Sequence, residues 1–216
     1  MIKLLTKNSK MKLTMFQHPG TKFFNFDIPA FRSRTGLTTC PNAGKCLTGC
    51  YGQMNRFTFD KVKQAQEARL DVVLRGNLPS AMGQELQGVW RVSNGIPIFI
   101  RVHGTGDFFK TWYRKTWFSI MDKFPKIHFY AYTKMVKMFK GIQMPKNFRT
   151  IFSFGGKEDG LIEQGDRCAM VFPDEQQIGK GFANGSHDDY VAAASKCHKV
   201  GLVYHGWSSH AWGGRS

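Results

Sequence analysis

The sequence predicts one α/β domain built on a parallel sheet or partial barrel, and three observations predict it. Apolar runs rich in aromatic and β-branched residues recur at 96–103 (IPIFIRVH), 126–134 (KIHFYAYTK) and 149–156 (RTIFSFGG). Each has the pattern of a strand covered on both faces. Each also ends in polar or glycine residues, and the first two lead into helix-like segments, TWYRKTWFSIMDKF and MVKMFK. A strand, a polar tip and a helix repeated in that order describe right-handed βαβ units. Finally, 216 residues with 42% hydrophobic and 14% aromatic content suffice for one sizeable core and are few for two.

Taken in order, residues 10–26 alternate apolar with polar around a His18, Pro19, Gly20 break and read as strand, turn, strand, so that 1–28 forms an N-terminal hairpin. Residues 29–160 make the core. It opens with FRSRTG, whose Arg32 and Arg34 suit either a phosphate or carboxylate contact or a solvent-facing pair, and continues into the cysteine-bearing stretch TTCPNAGKCLTGCYG at 38–52. Thr58 then reads as the N-cap of a helix in which Val62, Ala65, Ala68, Leu70, Val72 and Val73 share a broad face and Gly76 supplies the stop. A second helix covers 79–90. After the first apolar strand, HGTGDFF places His103, Thr105 and Asp107 at a strand's C-terminal end, where parallel sheets and barrels collect ligands. A plain turn with Asp107 as a helix cap is the alternative. Thr133 and Lys134 close the next strand, and Ser153, Gly155 and Gly156 the one after it. Beyond residue 160 the pattern dissolves. The segment 161–216 reads as an irregular extension with Cys168, an alanine-rich helix bearing Cys197 and His198, and a tail with His205, Trp207, His210 and Trp212.

Lys and Arg number 31 against 15 acids, a formal charge of +16. A field of that size attracts polyanions: nucleic acid, a nucleotide, or an acidic surface on another protein. No apolar run approaches the length of a membrane span, and the N-terminus lacks the pattern of a secretion signal, so the expected partners exclude a membrane and the expected compartment is the cytoplasm. In a reducing compartment, five cysteines read better as metal chemistry than as disulfides.

Cys40, Cys46 and Cys50 are spaced Cys-x5-Cys-x3-Cys in a loop containing Pro and Gly. Three soft thiolates on a flexible loop form a ligand set, and three rather than four leave one metal position open. Ordinary small buried residues are the alternative. His103, Asp107 and Lys134 are the candidate catalytic residues. The first two would bind a polar part of a ligand and Lys134 would hold its carboxylate or phosphate, while Asp107 also suits a metal. Tyr51, Thr105, Gly106, Ser153, Gly155 and Gly156 are the candidate cofactor contacts, the glycines because backbone there can approach a ligand closely. A zinc site from Cys168, Cys197, His198 and His205 is a separate possibility. Strand-end residues in a barrel that carries a metal only for stability would look the same.

In this order, the motifs TCPNAGKCLTGCYG, IRVHGTGDFF, FYAYTK and FSFGG, with a late cysteine, resemble the phage gene product 88 family. That family is in turn similar to radical-SAM-like iron–sulfur domains. The resemblance covers most of the chain from Phe24 onward. It implies an incomplete TIM-type, radical-SAM-like barrel, with a 4Fe-4S cluster on Cys40, Cys46 and Cys50 and its open iron facing the mouth. It also implies S-adenosylmethionine as the partner of that iron, cleaved to a 5′-deoxyadenosyl radical. The spacing departs from the x3 then x2 of most radical enzymes, and Tyr51 follows the last cysteine where those enzymes place an aromatic before it. Three functions are therefore expected alternatives: an iron–sulfur enzyme acting on a nucleotide or nucleic acid, a noncatalytic nucleic-acid-binding protein with a structural cluster, and a phage protein that captures a host protein.

Overall fold

A computed structural model describes residues 2–204; the tail histidines 205 and 210 and tryptophans 207 and 212 lie outside them. Eight strands form one open sheet: β1 (Leu5–Thr6), β2 (Lys22–Phe26), β3 (Ile98–Val102), β4 (Ile127–Thr133), β5 (Phe148–Ser153), β6 (Cys168–Phe172), β7 (Ala183–Asn184) and β8 (Lys199–Val203). Their order is β1-β2-β3-β4-β5-β6-β8-β7. Among the described strands only the β1–β2 pair is antiparallel. From β2 to β6 each strand lies beside its predecessor in sequence, so the wall is wound one way as a barrel's would be. It does not close: the sheet is open and a TIM-type barrel is not shown.

Six α-helices accompany the sheet: α1 (Ser9–Gln17), α2 (Asp60–Leu74), α3 (Leu78–Arg91), α4 (Thr111–Lys123), α5 (Val136–Phe139) and α6 (Tyr190–Ala193). Side chains alternate across each strand, which divides the core in two. Ile98, Ile100 and Val102 of β3 and Ile127, Phe129 and Ala131 of β4 pack on the outer face beneath α2 to α5. Helix α3 meets them with Leu78, Met82 and Leu86 at four-residue spacing, and α4 with Tyr113, Trp117, Ile120 and Met121 at three- and four-residue spacing, each a buried helical stripe. The inner face carries Phe23, Phe99, Tyr130, Ile151, Ala169 and Val200, covered by Met11 of α1 and Ala192 and Ala193 of α6.

Three sequence expectations are corrected here. Residues 10–26 are a helix followed by a strand, not a hairpin: the Asn8 side chain accepts from Met11 N at 2.8 Å to start α1, and Met11 and Thr14 are its buried residues, three apart. Helix α2 begins after Phe59 with no side-chain cap, Thr58 Oγ1 instead donating to Asn55 O at 2.7 Å. Its buried stripe contains Gln66 and Arg69 as well as Leu70 and Val73. The C-terminal segment is not irregular, since β6, β7 and β8 extend the sheet, and the alanine-rich helix is the single turn α6, which ends before Cys197 and His198. Gly76, at φ 73°, is the stop that the sequence indicated.

Ile100 sits in β3 at 0% exposure between the outer helices and the sheet. Ile100→Ala is expected to destabilise the fold by about 2–5 kcal/mol, read as a lower urea midpoint with an unchanged slope; Phe16→Ala, at an 83% exposed position, should move the midpoint hardly at all.

Candidate functional site

The inner face turns polar toward the C-terminal ends of the strands. Asn25 of β2, Arg101 of β3, Tyr132 of β4 and Ser153 of β5 continue the alternation begun by Phe23, Phe99, Tyr130 and Ile151, with Val171 and Leu202 beside them on β6 and β8. All six line one cavity of about 470 Å³, and Cys40, Cys46 and Cys50 line the same cavity. The strand-tip mouth that the sequence implied is therefore present, with the three thiols in it.

The loop reaches that position because its backbone docks on the strand ends. Cys40 Sγ accepts from Phe31 N at 3.3 Å. Ala43 forms a bridge with Gly156, Cys46 N donates to Gly155 O at 3.0 Å, and Lys157 N donates to Asn42 O at 2.9 Å. A Cβ on Gly44 would lie 3.0 Å from Gly156 C, and one on Gly156 would lie 2.9 Å from Lys134 Cβ, so side chains are excluded where the two backbones meet. The Gly155 and Gly156 amides both donate to the Asp159 carboxylate at 2.8 Å. These two glycines hold the loop and are not among the residues lining the cavity. Tyr51 lines it, and its hydroxyl donates to Gly104 O.

The candidate catalytic residues His103, Asp107 and Lys134 all line this cavity, and Asp107 and Lys134 also tie strand ends together. Asp107, 5% exposed, accepts from Phe108 N (2.7 Å), Thr133 Oγ1 (2.6 Å) and Lys134 N (2.9 Å), joining the end of β3 to that of β4. It is not a helix cap, because α4 starts four residues later. Lys134 Nζ donates to Ser153 O (3.2 Å), Ser153 Oγ (2.8 Å) and Phe154 O (2.9 Å), joining β4 to β5. Thr105 donates from Oγ1 to Ile28 O (2.8 Å) and from its amide to Asp27 Oδ1 (2.8 Å), while accepting from Gln66 Nε2 (2.8 Å). A Cβ on Gly106, at φ 83°, would lie 2.3 Å from Ile28 Cγ1.

His103 has φ 68°, which interrupts the strand alternation. Its ring packs among Phe26, Phe108 and Tyr113, and Nε2 shares a hydrogen bond with the Tyr113 hydroxyl at 2.8 Å. Burial, reinforced by the Arg101 charge, lowers its pKa to about 3, so the imidazole is neutral at physiological pH.

All five cysteines are free thiols. Burial pushes the Cys40 thiol up to about 12, with Asp107 and the Cys50 and Cys46 sulfurs adding to the rise. The Cys50 thiol is raised too, chiefly by burial, against the lowering effect of the Gly52 and Gln53 amides. Among the described residues no group of three or more His, Cys, Asp or Glu side chains is placed to hold a metal ion. Cys168 opens β6 and is not among the residues lining the cavity, and Cys197 Sγ donates to Lys199 O at 3.0 Å. The fourth member of the zinc set, His205, falls outside the described residues.

A family model described as Gene product 88 matches residues 3–208. No curated protein and no solved structure matches the chain.

The neutral imidazole carries a pH dependence. A group whose folded pKa lies below its unfolded value adds stability above pH 6.5, lost as pH falls toward about 3. Urea stability is therefore expected to drop by up to ~1.4 kcal/mol per pH unit across that window from this residue alone, and His103→Asn, which tolerates the positive φ, should remove that slope. Gly156→Ala is expected to lift the loop, read as faster labelling of Cys46 by a thiol reagent.

Proposed function

From the premise that this chain belongs to the gene product 88 family, a family of bacteriophage gene products, we propose that Cys40, Cys46 and Cys50 hold an iron–sulfur cluster beside a small-molecule cavity. The observation that carries this is the presence of three thiols from one loop in the lining of a single cavity at the C-terminal ends of parallel strands. Thiolates that burial and their mutual repulsion disfavour become stable next to a multivalent cation, which suits the raised Cys40 and Cys50 thiols. A polynuclear group suits the set better than one ion does, because each cysteine ligates a different iron and the sulfurs need not share one centre.

The chain's own residues have defined parts in this reading. Phe31 N donates to the Cys40 sulfur, and the Gly52 and Gln53 amides face that of Cys50, the kind of contact that sets a cluster's potential. Asp107 and Lys134 keep three strand ends in register beneath the loop and line the cavity that a ligand would enter. Tyr51, Thr105, Gly106 and Ser153 shape the wall against which a ligand lies. When bound, a three-cysteine cluster supplies one-electron chemistry at an iron with a position left for an outside ligand. S-adenosylmethionine is the first candidate for that position, and a radical-SAM-like reaction is the activity that would follow.

Anaerobic reconstitution with iron and sulfide is expected to give a brown protein with ~4 irons per chain. Cys46→Ala should abolish the colour and Cys168→Ala should keep it; a colourless wild type, or equal loss in both variants, overturns the assignment. Consumption of S-adenosylmethionine on reduction supports the enzymatic form of the proposal, and its survival leaves a noncatalytic cluster.

The charge of +16 favours a second reading, in which the outer surface binds nucleic acid or an acidic host protein. Lys45, Arg56 and Lys157 are exposed around the loop. Binding of an RNA or DNA oligomer should weaken steeply between low and physiological salt; affinity indifferent to salt would remove this reading.

A further inference from the structure

Away from the cysteine loop, the cavity has a wall of different chemistry. Lys10, in the first turn of α1, and Arg101, on the inner face of β3, both line it. Their side chains are only 18% and 12% exposed. One acid, Asp189, stands between them at 0% exposure. Lys10 Nζ lies 2.9 Å from its Oδ1, while the nearest guanidinium nitrogen, Arg101 Nη1, stands off at 3.8 Å. The neighbouring acids are already engaged: Asp188 pairs with His18 at 2.8 Å, and Asp27 accepts from Asn25 Nδ2 and from Thr105 N at 2.8 Å. Two cations thus face one available carboxylate.

Arg101 is held in place but left under-used. Its guanidinium lies 4.9 Å over the Tyr132 ring and its Nη2 reaches the Tyr51 hydroxyl at 3.3 Å. Its buried Nε finds no acceptor among the described residues. Arginine does not shed its proton to escape such a position, and a buried charge without full hydrogen bonding is costly. A guanidinium fixed by a stacked ring, with a free donor and surplus charge, is suited to a carboxylate or phosphate.

We propose that Lys10 and Arg101 form an anion subsite that receives the carboxylate or phosphate end of a small-molecule ligand whose other end reaches the cysteine loop. The proposal deepens the cavity reading above and rests on it only in treating the cavity as a ligand site; it does not require the cluster. A ligand with one anionic terminus is selected over neutral ones, because only it balances the charge left by the shared Asp189.

Arginine Nε–H groups give their own signals in nitrogen-15 NMR, which allows the full chain to report directly. Inorganic phosphate and acetate are titrated separately against chloride at constant ionic strength. A saturable shift of the Arg101 Nε–H signal is expected, and the ion that saturates it at lower concentration identifies phosphate or carboxylate as the group preferred. Lys10→Gln, which leaves Arg101 to pair with Asp189 alone, should weaken that response at least ~10-fold, whereas Lys12→Gln, on the exposed side of the same helix, should not change it. An Arg101 signal unmoved by both ions, or shifts that rise linearly and spread over exposed lysines, overturns the proposal. Should Lys10→Gln not fold, the wild-type titration still decides. Cys46→Ala should keep the anion response while losing the cluster, so failure of one assignment does not carry the other with it.

Discussion

A buried carboxylate governs the geometry of this protein. Asp107 lies where the end of β3 meets the end of β4, almost wholly out of water, and its oxygens accept from a hydroxyl and two amides. Burial raises its pKa while those donors hold it down. Loss of any donor would leave charge stranded in the interior, so the donors are required and the strand ends have one arrangement. The same residue's amide donates to Thr39 O at 3.0 Å, one position before the first cysteine of the loop. Lys134, whose amide is one of the donors, carries the constraint on to β5 and so to the Gly155–Gly156 turn on which the loop rests. The place of the loop that carries the three sulfurs is therefore settled largely by backbone and carboxylate contacts at the strand ends.

Much of this was legible in the sequence, for identifiable reasons. Strands β3 to β5 are runs of apolar residues closed by polar tips, and α3 and α4 repeat bulky residues at helical spacing, so burial alone marks them. Convergence of the cysteines with the strand ends follows from placing a loop at the C-terminal side of a parallel sheet. Helix α1 was misread because KMKLTMFQ also alternates by twos; the Asn8 cap and the Met11 and Thr14 pair were the signal to weigh. β6 and β8 escaped because CAMVF and KVGLV, though apolar, are set among Gly-, Asp- and Ser-bearing segments and lead into no long helix, so the repeat of strand, polar tip and helix does not mark them.

The site residues divide along the same line. His103, Asp107 and Lys134 are legible because they are polar and sit at strand ends; each lines the cavity while also bonded to its neighbours. Arg101 was missed because IPIFIRVH reads as one apolar run, although its place two residues after Phe99 puts it on the inner face. Gln66, buried on α2, was hidden among helix-forming residues and emerges only through its bond to Thr105. A sequence displays residue type and period; it does not display which polar side chain already has its partners.

An unclosed sheet must terminate, and bare strand margins invite other chains to pair with them. Among the described residues the outermost strands are two residues each, Leu5–Thr6 on one side and Ala183–Asn184 on the other. The Leu4 and Leu5 amides are moreover taken by the Glu85 carboxylate at 2.8 and 2.9 Å. A foreign strand would find too short a template on either flank to register against. The architecture thereby gains from trimming its margins the protection against edge-to-edge aggregation that a cylinder gets from having none.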